Sequence, residues 1–147
     1  MVSSSDILIE EVPAAPGQVR AFYVDLHNIK TVHPLVVEVR SMWRTETPDG
    51  YRQTYRVTDR IPVGPLTLRT SYEVRMMVGH DGDVVAEARQ FPRVRLSAMV
   101  TFTPAETGTC LTERLTIDAP KPLAALTRRK AVNAHETMLA GIRRRFS

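Results

Sequence analysis

At 147 residues, 43% hydrophobic and 24% charged, the chain can bury a sizeable core as one domain, residues 1–147, without disulfides or metals. A single cysteine, Cys110, excludes an internal disulfide and a multi-cysteine zinc site, and no apolar run approaches the length of a membrane span. The formal charge of +4 admits nucleic acid or anionic membranes as partners, so the distribution of that charge has to decide.

The amino terminus, MVSSSDILIEEV, lacks the basic segment and apolar core of an export signal, and a cytoplasmic location is expected. Ile7, Ile9 and Val12 lie in a short first strand that Pro13 stops. Pro16 suits a first helical position, and Val19, Phe22, Tyr23 and Leu26 recur at helical spacing, which predicts a helix over 16–26. Asn28 can cap a second short helical piece running to about Val32, where the approach to Pro34 ends it.

From Leu35 to Ala119 the pattern changes to period two and continues through six segments, the signature of an antiparallel meander. Leu35, Val37, Val39, Ser41 and Trp43 form the inward set of the first. Tyr51, Gln53, Tyr55 and Val57 follow in the second, and Leu66, Leu68, Thr70, Tyr72, Val74 and Met76 in the third. Residues 83–90 make a shorter strand. Val94, Leu96, Ala98, Val100 and Phe102 point inward on the fifth, and Leu111, Leu115 and Ile117 on the sixth.

Consecutive antiparallel strands place alternate loops at opposite ends of a sheet. One end receives tight polar turns at 47–50, 79–82 and 105–108. The other receives the proline-bearing, partly apolar loops 61–65, 91–93 and 119–122, together with His33-Pro34-Leu35. That stiff end is the candidate mouth of a site, although prolines also serve simply to end edge strands.

Residues 120–147 form one long amphipathic helix. Leu123, Leu126, Thr127, Ala131, Ala134, Met138 and Ile142 share a face, and Arg143, Arg144 and Arg145 complement the dipole at its end. Thr127, Ala131 and Ala134 are small where a core helix usually presents large side chains. Either the helix packs unusually close to the sheet or it roofs a cavity.

The order of strand, two short helices, six antiparallel strands and a long final helix resembles the helix-grip fold of the SRPBCC superfamily, which includes START domains, pollen-allergen-like proteins and polyketide cyclases. The segments that carry the resemblance are Val12-Pro13-Ala14-Ala15-Pro16, Val32-His33-Pro34-Leu35-Val36, Cys110-Leu111-Thr112-Glu113-Arg114-Leu115 and the final helix. It implies an α+β fold, with a seven-stranded curved antiparallel sheet gripping the carboxy-terminal helix. It also implies a cavity between sheet and helix for an apolar or amphipathic molecule, lipid or polyketide-like. The superfamily's breadth selects no single activity.

Strand phase aims Ser41, Trp43, Gln53, Tyr55, Thr70 and Tyr72 inward, with Glu113 amid apolar neighbours. A ligand-binding set follows: Trp43, Gln53, Tyr55, Thr70, Tyr72, Glu113, Ala134, His135 and Met138. The alternative is that the tyrosines reach the rim and Gln53 and Thr70 pair across strands. Glu113 is expected to be salt-bridged or solvent-facing. As a desolvated proton acceptor, with Tyr55 or Tyr72 orienting a carbonyl, it would instead serve catalysis. His135 reads as a satisfied core histidine, and no histidine spacing suggests a metal or cofactor. Arginines 40, 44, 52, 56, 69 and 75 alternate with Glu38, Glu46 and Glu73 on an outer face without an exposed aromatic platform. That reads as solvation and not as a nucleic-acid footprint, while Arg143 to Arg145 allow transient contact with an anionic membrane. A carrier of a small hydrophobic ligand is the leading expectation. A cyclase-like enzyme and an interaction module with a filled core are the alternatives, and the oligomeric state is open.

Overall fold

The computed structural model describes residues 1–147. Its elements in order are β1 (Val2–Val12), α1 (Pro16–Val24), α2 (Leu26–Ile29), β2 (Val36–Thr47), β3 (Gly50–Val63), β4 (Leu66–Gly79), β5 (Val84–Gln90), β6 (Val94–Ala105), β7 (Gly108–Ala119), a 3-10 turn at Lys121–Leu123, and α3 (Ala124–Arg145). All seven strands pair antiparallel in one sheet of order β1-β7-β6-β5-β4-β3-β2. The meander from β2 to β7 is therefore continuous, and β1 joins its far edge beside β7. This is the α+β helix-grip architecture.

The two short helices divide differently from the sequence expectation. The helix predicted over 16–26 stops at Val24, because Asp25 adopts an extended conformation and its carboxylate accepts the His27 amide at 2.9 Å, which starts α2 at Leu26. Asp25, and not Asn28, is the cap. Asn28 instead donates through its side chain to the Phe22 carbonyl at 3.3 Å, tying α2 back onto α1.

On the inner face of the sheet, Met76, Val84, Val100, Leu111, Leu115 and Ile117 are buried against Val19, Tyr23, Met138, Leu139 and Ile142 from the helices. Burying side chains of this size stabilises by about 1.5–3 kcal/mol each. A bidentate pair between Arg128 and Asp6, with contacts of 2.6 and 3.0 Å, fastens α3 to β1. At Gly141 the helix comes so close to the segment after α2 that an added Cβ would lie 2.9 Å from the Val32 Cβ.

Strand phase holds for β3, β4, β6 and β7 but fails in β2, which carries two register irregularities. Val36 lies opposite Asp59 whereas Glu38 lies opposite Thr58, and Ser41 opposite Tyr55 whereas Trp43 lies opposite Thr54. Each extra residue flips the side chains that follow it. Val37 is thereby displaced from the inward set by Val36. Trp43 turns to the outer face with Thr54 and is 56% exposed.

Candidate functional site

Between the sheet and α3 lies a cavity of about 280 Å³, with 24 of its 32 lining residues hydrophobic. The roof is the α3 face that the sequence singles out: Leu126, Thr127, Ala131, Ala134 and Met138, continued by Leu123. Small side chains at three of those positions leave the room that larger ones would occupy. The walls are Val57, Ile61 and Val63 of β3, Leu68, Tyr72, Val74 and Met76 of β4, Ala86 and Ala88 of β5, and Val94, Leu96 and Ala98 of β6. Val39, Leu35 and Val36 close the side nearest α2.

The proline-bearing end carries a group of exposed apolar side chains. Phe91 is 91% exposed, and Leu66 and Leu68 are also exposed there. Phe91, Pro92, Ile61, Val63 and Leu68 belong to the cavity lining as well, so apolar surface runs from solvent into the interior at this end.

The polar groups form two sets, each built on a buried carboxylate. In the first, Glu113 is fully buried on β7, the Tyr23 hydroxyl donates to its Oε2 at 2.5 Å, and His135 Nδ1 meets its Oε1 in a very short contact. The carboxylate holds His135 above its ordinary value despite the burial that opposes it. Burial, reinforced by the Glu113 charge, pushes the Tyr23 phenol well above 10. Glu113 is thus paired, as expected, and shut away from solvent.

In the second set, Asp59 on β3 is 4% exposed. Its Oδ2 accepts the Tyr72 hydroxyl at 2.8 Å, and its Oδ1 has no partner. Desolvation raises its carboxyl to about 6, even though the Tyr72 hydrogen bond and the His135 charge favour the ionised form. His33 stands edge-on to His135, ring centroids 5.5 Å apart. Its Nδ1 accepts the Leu35 amide at 3.2 Å, and burial lowers its pKa to about 3, so the ring is neutral with its proton on Nε2. Asp59, Tyr72, His33 and His135 all line the cavity.

Among the residues expected to bind a ligand, Tyr72, Ala134, His135 and Met138 line the cavity, and Glu113 stands directly behind His135. Four others do not. Trp43 is on the far side of the sheet because of the β2 bulge, so the outer arginine face has the exposed aromatic that the sequence reading denied it. Gln53 lies in the inward phase but toward the tight-turn end of β3, beyond the cavity wall that begins at Val57. Tyr55 is buried beneath the short helices, its hydroxyl directed at the Val24 carbonyl at 3.3 Å and its ring edge-on to His27. Thr70 shares the face of Leu68 and Tyr72 but is not part of the cavity lining.

Neither Asp59 nor Tyr23 is among the site residues expected from the sequence, whereas His33 belongs to the loop expected at the mouth. The signal for Asp59 was present: the alternation Tyr51, Gln53, Tyr55, Val57 extends one step to residue 59. Tyr23 gave no such signal, since its partner is 90 residues away.

No protein-family model matches the chain, and no curated protein matches it. Solved structures do. The chain is similar to TTHA0849 from Thermus thermophilus, at 17% identity over 99% of this chain and 97% of that one, with a TM-score of 0.72. It is similar to a START superfamily protein from Mycobacterium smegmatis, at 12% identity over 99% of each chain and a TM-score of 0.71. With the di-domain ARO/CYC StfQ from the steffimycin biosynthetic pathway the TM-score is 0.75 at 13% identity, covering 96% of this chain and 49% of that one, so the chain spans about half the length of that protein. At such identities the likeness is one of fold.

Proposed function

We propose that this chain, whose fold is the helix-grip fold of the SRPBCC superfamily, binds and carries an apolar or amphipathic small molecule between its sheet and its terminal helix. The observation that carries the reading is the open space under Ala131 and Ala134, walled by aliphatic side chains and continuous with the exposed apolar rim at Phe91. A filled-core interaction module would have no use for such a space.

Native mass spectrometry of freshly expressed protein, followed by organic extraction, tests the proposal by finding a co-purifying lipid or aromatic compound. Ala134→Trp supplies the control. Its indole would occupy the space beneath the roof, so uptake of a fluorescent apolar probe such as 1-anilinonaphthalene-8-sulfonate should be lost while the circular dichroism spectrum is kept. Undiminished uptake would place the binding space elsewhere.

A second reading, a cyclase-like enzyme acting on a polyketide-like chain, is favoured by one observation: an otherwise apolar cavity has a carboxylate and an imidazole in its wall. The likeness in fold to the ARO/CYC protein agrees with it.

A further inference from the structure

A carrier for an apolar molecule has no need of an orphaned carboxylate oxygen. Asp59 lines the cavity, is almost wholly buried, and spends only one of its two oxygens, on the Tyr72 hydroxyl. An unpartnered buried carboxylate oxygen is costly and calls for a partner that the protein itself does not supply. Facing the same space is His135, whose Nδ1 is committed to the fully buried Glu113 and whose Nε2 has no protein partner. Tyr23 in turn holds Glu113 from behind. The imidazole is therefore fixed in place with one nitrogen left for the cavity, and a carboxylate with a free lone pair lines the same space.

We infer that Asp59 and His135 are an acid–base pair for proton transfer at the carbon next to a carbonyl group, acting on a flat, largely apolar ketone held in the cavity. Oδ1 of Asp59 takes the proton from the α-carbon. The electrons of that C–H bond form the enolate double bond, and the carbonyl π electrons move onto oxygen, where the Nε2–H of His135 meets the developing charge. Return of a proton from Asp59 to carbon regenerates the ketone. When Asp59 first trades its proton with solvent, the carbon receives a solvent proton or deuteron, so the cycle balances with water as the only other participant. Charge states agree with these roles. Burial makes Asp59 more basic than an ordinary carboxylate while leaving it mostly ionised at neutral pH, and the Glu113 carboxylate favours the protonated form of His135. Because the inference rests on the cavity being a ligand site, its test has to separate binding from chemistry.

The probe is 2-tetralone, a flat apolar ketone with exchangeable C1 protons, incubated with the wild-type protein in deuterated buffer. Proton NMR follows loss of the C1 signal, and saturation-transfer difference NMR records binding in the same tube. The expected result is exchange on the order of 100-fold or more faster than in buffer, the scale of general acid–base catalysis. Excess 2-naphthol, a planar analogue of the enol, should suppress it. Asp59→Asn keeps an acceptor for Tyr72 and should return exchange to the buffer rate while the probe still binds. His135→Gln should slow exchange at least about tenfold. A bound probe that exchanges no faster than in buffer, or exchange that Asp59→Asn leaves intact, overturns the inference and leaves the carrier reading standing. A probe that does not bind at all counts against both. If either variant fails to fold, wild-type acceleration blocked by 2-naphthol supports the pair, and acceleration indifferent to 2-naphthol refutes it.

Discussion

At the scale of single residues, the most informative group is Glu113. A fully buried carboxylate with a histidine on one oxygen and a phenol on the other is tolerable only while both partners remain. Glu113→Gln should therefore cost about 3 kcal/mol, within the range for breaking a buried ion pair. It should also let the His135 pKa fall, since burial alone pushes an imidazole down. Chemical denaturation and a histidine NMR titration check the two halves; a His135 pKa left unchanged would mean that another charge holds it. The inward direction of Glu113 was legible from its apolar neighbours in the sequence, because period two is a local property. Its pairing was not legible, because Tyr23 and His135 are brought to it by two different helices.

Asp59 and His33 act on stability in opposite senses. With a folded value near 6 against the usual 3.8, Asp59 binds its proton more tightly when folded. The stability this contributes is present below about pH 3.8 and is lost as pH rises through 6. His33, lowered from 6.5 to about 3, contributes stability that is present above 6.5 and is lost as pH falls through its folded value. Between pH 4 and 6 the two oppose each other. Asp59→Asn removes only the first, so the stability of wild type relative to this variant should decline by up to roughly 3 kcal/mol from pH 3.5 to pH 7. A difference that does not change with pH would show that Asp59 titrates normally.

Among the elements, β2 and α3 differ most in how far sequence prescribes them. The α3 face is set by helical spacing alone, and Leu126, Ala131, Ala134 and Met138 stand where the wheel puts them. In β2 the same kind of counting fails after two single-residue insertions, because a bulge shifts phase without any glycine or proline to announce it. Gly141 is a feature of α3 whose purpose only packing reveals. By helix propensity Gly141→Ala should stabilise by about 1 kcal/mol, yet the new methyl group would press on the Val32 Cβ. We expect a net loss of about 1–2 kcal/mol. In a Val32→Gly background the same change should become neutral or favourable. A double-mutant cycle by thermal denaturation measures that coupling, and additive effects would dismiss the contact.

For the molecule as a whole, the sheet order and the helical roof were readable because both follow from periodicity and chain order. The positions of Tyr55 and Gln53 relative to the cavity were not, since these depend on how far along each strand the helices reach. The division of loops into tight turns and stiff apolar ones does correspond to a division of surface: exposed Phe91, Leu66 and Leu68 all lie at one end. Phe91→Asp should thus slow entry of an apolar probe severalfold in stopped-flow measurements and leave the melting temperature within a few degrees, because a side chain that is 91% exposed contributes little to folding. Unaltered entry rates would assign the entrance to another edge.

Trp43 is the chain's sole indole, and the bulge in β2 sets it in water with the full thickness of the sheet between it and the cavity. Its emission should be red-shifted and should stay constant whether the interior is vacant or loaded. Intrinsic fluorescence excited selectively at the indole would then be silent on occupancy, and a titration that relied on quenching of that signal would report no complex even at saturation.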